Sequence, residues 1–146
     1  MARPWNETAK DLQREAAISK ILCRQGKGSD GWFKNPSHLH IDISLISKGR
    51  VISMIEIKCR KDASDIYDTA YISLIKISAA LALEEATQLP IYFCWAWSDN
   101  IITLQRAKPP DFITITGNCR GQEGDQEPCG HYRIADMTRI GEETFL

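Results

Sequence analysis

Apolar positions along the chain change their period twice, and the changes mark out its elements. Over residues 6 to about 25, Leu12, Ala16, Ile18 and Leu22 recur at helical spacing, with Asn6 as an N-cap, Glu7 in the first turn and Gly26 as the stop. Residues 26–38 are Gly-rich, carry Lys27 and Lys34 beside the aromatic pair Trp32 and Phe33, and read as a loop. From 40 to 61, two runs rich in Ile, Val and Ser flank Lys48-Gly49-Arg50, which predicts a hairpin. An acidic connector over 62–68 leads to 69–88, apolar almost all round and therefore predicted as one helix buried against a sheet. Residues 91–97 and 101–104 are β-prone runs turned by Ser98-Asp99-Asn100, and 112–116 and 131–134 read as two more strands across a polar, Gly-rich interval.

The order helix, strand, strand, helix, strand, strand predicts a mixed α/β sheet with a crossover connection and flanking helices. The core would span about 6–105, with a short C-terminal β extension over 106–146, all in one domain of 146 residues. No apolar run reaches the ~20 residues that span a bilayer, and the polar start is no signal peptide. Five cysteines without a dense framework suit a reducing compartment, so the expectation is cytoplasmic, in a host if the chain is viral.

Three charges interrupt the apolar runs of the hairpin: Asp42 on the first strand, Glu56 and Lys58 on the second. Charges in strands are costly to bury without a partner or a metal, and residues two apart share a face. A two-residue turn at Lys48-Gly49 would set Asp42 against Ile55. A three-residue turn over 48–50, or an equivalent bulge, pairs Ser47 with Val51, Asp42 with Glu56 and His40 with Lys58. The expectation is the odd turn or the bulge, with Ile46, Ile52 and Met54 sharing the charged face. Each flanking helix adds one charge on an apolar surface: Glu15 within the first stripe, and Lys76, the only charge of the second helix before Glu84. Glu7 and Asp11 read as surface charges.

A net charge of −1 conceals an asymmetry. Residues 1–61 hold 12 Lys/Arg against 6 Asp/Glu, net +6; residues 62–146 hold 6 against 13, net −7. A basic half around a carboxylate pair suits a polyanion. Lys27, Lys34, His40, Arg60 and Lys61 are the candidate substrate contacts. Two converging carboxylates favour a hard cation, Mg²⁺ or Mn²⁺, held by Asp42, Glu56 and the main-chain carbonyl of Ile57. Lys58 would orient the attacking water and offset charge on the phosphate.

Asp42, thirteen intervening residues and then Glu56-Ile57-Lys58, between helices bearing Glu15 and Lys76, resembles the PD-(D/E)XK nuclease superfamily. Within it, the chain is similar to the small branch of archaeal and phage Holliday-junction resolvases and VRR-NUC domains. The resemblance covers residues 10 to about 97. It implies a restriction-endonuclease-like α-β-β-α-β core and metal-dependent, structure-specific cleavage of branched or double-stranded DNA. It also implies Asp42 and Glu56 as metal ligands, Lys58 as the catalytic lysine, Glu15 as the helix-borne acid and Lys76 as the auxiliary basic residue. Ile41 stands where the motif has Pro, no Q-x-x-x-Y follows the hairpin, and 105–146 matches nothing in the family.

Rival chemistries fare worse. His38, His40 and Asp42 alternate like the metal-binding run of metallo-β-lactamase-like hydrolases, but position 43 is Ile and the chain has three histidines, too few for that dinuclear site. Cys119, Cys129 and His131 lack the spacing of a structural zinc site. No Walker loop, G-x-S-x-G elbow or G-x-G-x-x-G turn occurs. A nucleic-acid-binding or assembly module without catalysis is the alternative of a different class, and a restriction-type enzyme a third. Symmetric DNA substrates would call for a homodimer, with 92–97 as a candidate interface.

Overall fold

The longest strand, β3 (Arg50–Cys59), is the axis of the fold. The computed structural model describes residues 9–25, 28–115 and 127–140. β3 lies antiparallel to β2 (Ile43–Ser47) on one side and parallel to β5 (Ile91–Ala96) on the other. β1 (Gly31–Lys34) flanks β2, while β6 (Ile102–Arg106) and then β9 (Thr138–Ile140) follow β5, giving the order β1-β2-β3-β5-β6-β9. A parallel neighbour requires a crossover, and α2 (Leu74–Thr87) supplies it.

The two faces of the sheet are covered differently. α1 (Ala9–Gln25) packs Ile18, Ile21 and Leu22 against Ile43, Ile55, Ile57 and Cys94. On the other face, α2 contributes Ile77 and Ala80, and a second sheet lies beside it in the order β4-β8-β7: β4 (Thr69–Ser73), β8 (Cys129–Arg133) and β7 (Phe112–Thr114). Together they bury Met54, Phe93, Trp95 and Trp97. The architecture is the expected mixed α/β sheet between helices.

Several elements depart from the sequence pattern. Residues 69–73 are a strand rather than the start of the helix, because Ala70 and Ile72 turn inward while the segment pairs with β8, a partner far along the chain. Ser73 then caps α2, its side chain accepting from the Ile75 N–H at 3.2 Å. That helix is not apolar-buried all round, since Ile75 is 56% exposed. The expected loop contains β1, held against β2, and the C-terminal extension divides, β7 and β8 joining the second sheet and β9 the main one. The expected cap Asn6 and stop Gly26 lie outside the described residues.

The hairpin turn is the two-residue kind. Ser47 pairs with Arg50, and Lys48 and Gly49 take φ of 52° and 77°, the left-handed pair that a type I′ turn needs. The three-residue turn is therefore not formed; a bulge restores the parity instead. Ile46 pairs with Val51 but Leu45 with Ser53, leaving Ile52 as the extra residue. Val51 and Met54 consequently pack on the α2 side, while Ile52 packs on the α1 side rather than with Met54 as expected. Extending this register brings Asp42 opposite Glu56. His40 does not pair with Lys58: Ser37–Leu39 form a 3-10 turn and His40 sits at φ 62°, so His38, His40 and Asp42 do not share a strand.

Where the second sheet meets α2, the backbone of Gly130 approaches so closely that a Cβ there would lie 2.4 Å from Ile77 Cδ1 and 2.8 Å from Pro110 Cβ. Gly130→Ala should destabilise the fold by about 1–3 kcal/mol through overpacking, read as a lower urea midpoint. An unchanged midpoint would mean the two layers are not locked at this contact.

Candidate active site

Asp42 stands just before β2, two residues past the left-handed His40, and three successive carbonyls, of His40, Ile41 and Asp42, are each held by a hydrogen bond. The Asn35 N–H donates to the Asp42 carbonyl at 2.8 Å. The Asn35 side-chain amide donates to the Ile41 carbonyl at 3.0 Å, and its Oδ1 accepts from Ser44 Oγ at 2.6 Å. From α2, Lys76 Nζ donates to the His40 carbonyl at 3.0 Å. So placed, Asp42 Oδ2 accepts the Ile57 N–H at 2.7 Å. That carboxylate takes over the sheet edge where β2 stops, and the Ile57 carbonyl lies on the same edge of β3 as its N–H.

Glu56, opposite, is 1% exposed. Lys58 Nζ lies 3.5 Å and Lys76 Nζ 3.4 Å from its Oε2, while its Oε1 has no hydrogen-bond partner among the described residues. Burial, reinforced by the charge of Asp42, pushes the Glu56 carboxyl up to about 8; Lys58 and Lys76 pull the other way without prevailing. Two oxygen acceptors thus face one another with either a proton or a cation needed between them. The donor set, two carboxylates and the Ile57 carbonyl, fits a hard divalent ion. Among the described residues no three His, Cys, Asp or Glu side chains converge closely enough to hold a metal.

A cleft of ≈ 290 Å³ opens over this pair, and Glu15, Lys58 and Lys76 line it. Glu15 is bound to Lys34 at 2.8 Å, and the Lys34 side chain remains 39% exposed. Arg60 donates to the Tyr71 carbonyl at 2.7 Å, Lys61 is exposed, and Lys27 lies outside the described residues. Two residues were missed. Asp11, read as a surface charge, also lines the cleft. Asn35 positions Asp42, and the Asn35-Pro36 turn signal was its only trace in the sequence.

Two of the C-terminal residues considered for zinc have other partners. Cys129 is disulfide-bonded, a departure from a wholly reduced chain, and Cys119 lies outside the described residues. His131 is clasped by two hydroxyls, Thr69 Oγ1 at 3.0 Å from Nδ1 and Thr114 Oγ1 at 2.8 Å from Nε2.

A family model described as "Phage putative PDDEXK endonuclease" matches residues 1–140. The chain belongs to this endonuclease family. The match extends through β9, so the C-terminal strands that resembled nothing in the sequence are part of the family's span. In fold, the chain is similar to the solved structure of Archaeoglobus fulgidus Hjc, a Holliday junction resolvase from an archaeal hyperthermophile. The TM-score is 0.55 at 11% identity, covering 86% of this chain and 90% of that one. No curated protein sequence matches the chain.

The burial of Glu56 sets a pH dependence. Its folded pKa lies above the unfolded value, so the stability it contributes is complete below about pH 4.5 and lost as pH rises toward about 8. In chelator, wild type should lose stability across this window by something on the order of a few kcal/mol, while Glu56→Gln, permanently neutral, should show a flatter profile and exceed wild type at the alkaline end. Thermal melts across the range decide it; parallel profiles would place the origin of any pH dependence elsewhere.

Proposed function

We propose that the chain is a metal-dependent DNA endonuclease that hydrolyses phosphodiester bonds in branched DNA. The observation carrying this reading is the pairing of Asp42 with the buried Glu56 beneath an open cleft, with two lysines on one oxygen of Glu56 and the other without a hydrogen-bond partner among the described residues. Asp42, Glu56 and the Ile57 carbonyl would hold Mg²⁺ or Mn²⁺, and an ion bound there supplies charge stabilisation to the phosphate and acidity to water.

The chain's own groups supply the rest. Lys58, with its side chain 32% exposed, orients the attacking water and offsets the negative charge that accumulates on the pentacovalent phosphate. Lys76 bridges Glu56 and the His40 carbonyl, tying α2 to the loop that carries Asp42. Glu15, with Lys34, forms the α1 wall. His40 and Lys61 are exposed at positions from which they can meet the DNA backbone. A junction with two equivalent strands would be served by two copies of the chain. No helix among the described residues is long and apolar enough to cross a membrane, which suits action on DNA in the cytoplasm of a cell or host. The second reading is a DNA-binding module without catalysis; among the described residues no three His, Cys, Asp or Glu side chains converge to hold a metal.

Cleavage of plasmid, single-stranded, flap and four-way-junction DNA with Mg²⁺ or Mn²⁺ tests the proposal. Asp42→Ala, Glu56→Ala and Lys58→Ala should each lower the rate by roughly 100-fold or more, Lys76→Ala by less, and a chelator should abolish it. Wild type and Glu56→Ala equally inert on every substrate, while both bind DNA, would leave the non-catalytic reading standing.

A further inference from the structure

The outer face of the second sheet carries a row of rings that the chemistry above does not use. Tyr71, His131 and Phe112 are direct cross-strand partners on β4, β8 and β7. Phe112 stacks on His131 with centroids 4.5 Å apart and planes within 10°, and Tyr71 lies 5.7 Å from His131 on its other side. Arg60 continues the row, its guanidinium 4.8 Å from the centre of the Tyr71 ring. The core does not require these rings, because the same strands bury Ala70, Ile72 and Tyr132 on their inner face. Tyr71 and Phe112 remain 36% and 48% exposed.

Two features make the row more than a chance patch. The central ring is fixed by hydroxyls on both nitrogens, from Thr69 on one flanking strand and Thr114 on the other, so its plane is set in advance. The row is also anchored to the cleft: the Tyr71 carbonyl accepts both from Arg60 and, at 3.1 Å, from the indole of Trp95, which pairs with Lys58 in the sheet. Arg60 itself lies two residues beyond Lys58. A strand leaving the cleft along this edge meets a cation first and aromatic rings next, with exposed Arg133 on the same face as His131.

We propose that this row is a stacking platform for the unpaired bases of a single-stranded arm next to the scissile site. The inference rests on the nuclease reading for its substrate class and narrows it to DNA with a duplex-to-single-strand transition. Rings take any base by its π-face, so recognition is by unpaired state rather than by sequence, and Arg60 supplies charge to the phosphate that precedes them.

Fluorescence anisotropy with the full chain in chelator tests this, using a duplex with a single-stranded arm and the same duplex with an abasic arm. Wild type should bind the base-bearing arm roughly 5-fold or more tighter. Tyr71→Ala and Phe112→Ala should erase that preference without weakening the blunt duplex, and Phe112→Trp should keep it. Equal affinity for the two arms in wild type, or a preference untouched by either alanine variant, would overturn the platform. The wild-type comparison does not depend on any variant folding. Cleavage of junctions without arm discrimination would sink the platform and spare the nuclease; arm discrimination with no cleavage of any DNA would do the reverse.

Discussion

The hydrogen bond from the Ile57 N–H to Asp42 is the contact on which the site depends. Where β2 stops, β3 would present unpaired main-chain groups, and a buried backbone N–H must find a partner. A carboxylate from the incoming loop provides it and is thereby fixed against Glu56. The same bond completes the sheet edge and concentrates negative charge at one point. Everything that pins Asp42, from the Asn35 side chain to the Lys76 ammonium, serves both ends at once.

The consequence is an electrostatic conflict left in the fold. Glu56 is held in the interior facing another acid, and two lysines relieve it only in part. A buried ion pair is seldom a net source of stability, and here a carboxyl oxygen also lacks a hydrogen-bond partner among the described residues. Strongly perturbed carboxyls in a cleft are a common mark of functional sites. In the proposed reading, a hard cation held between Asp42 and Glu56 would relieve the perturbation.

The second sheet changes the picture of the C-terminal half. It covers α2's flank of the main sheet, contributes Tyr132 to the core and carries a row of stacked rings, of which Tyr71 and Phe112 are partly exposed. None of this was visible in a run such as 69–73, which locally continues the apolar pattern of the helix after it. Its strand state depends on pairing with residues 129–133, and a pairing over such a distance leaves no local signal. β1 escaped notice for a similar reason: a short aromatic pair between Gly and Pro looks like loop until a neighbour pairs with it.

The candidate site divides along the same line. Asp42, Glu56 and Lys58, with Glu15 and Lys76 on flanking helices, were legible because charges in apolar periodic runs are chemically conspicuous whatever the fold. That Asp42 and Glu56 must face one another also followed from strand periodicity, once an odd residue was required somewhere in the hairpin. Where that residue goes did not follow: Lys48-Gly49 favours the two-residue turn, so the extra residue became a bulge at Ile52. The pinning of Asp42 by Asn35, the pairing of Lys34 with Glu15 and the ring row on β4, β8 and β7 were likewise settled only by tertiary structure. Each joins segments whose proximity is created by the packed fold, and periodicity along one chain carries no information about which distant segment will lie alongside.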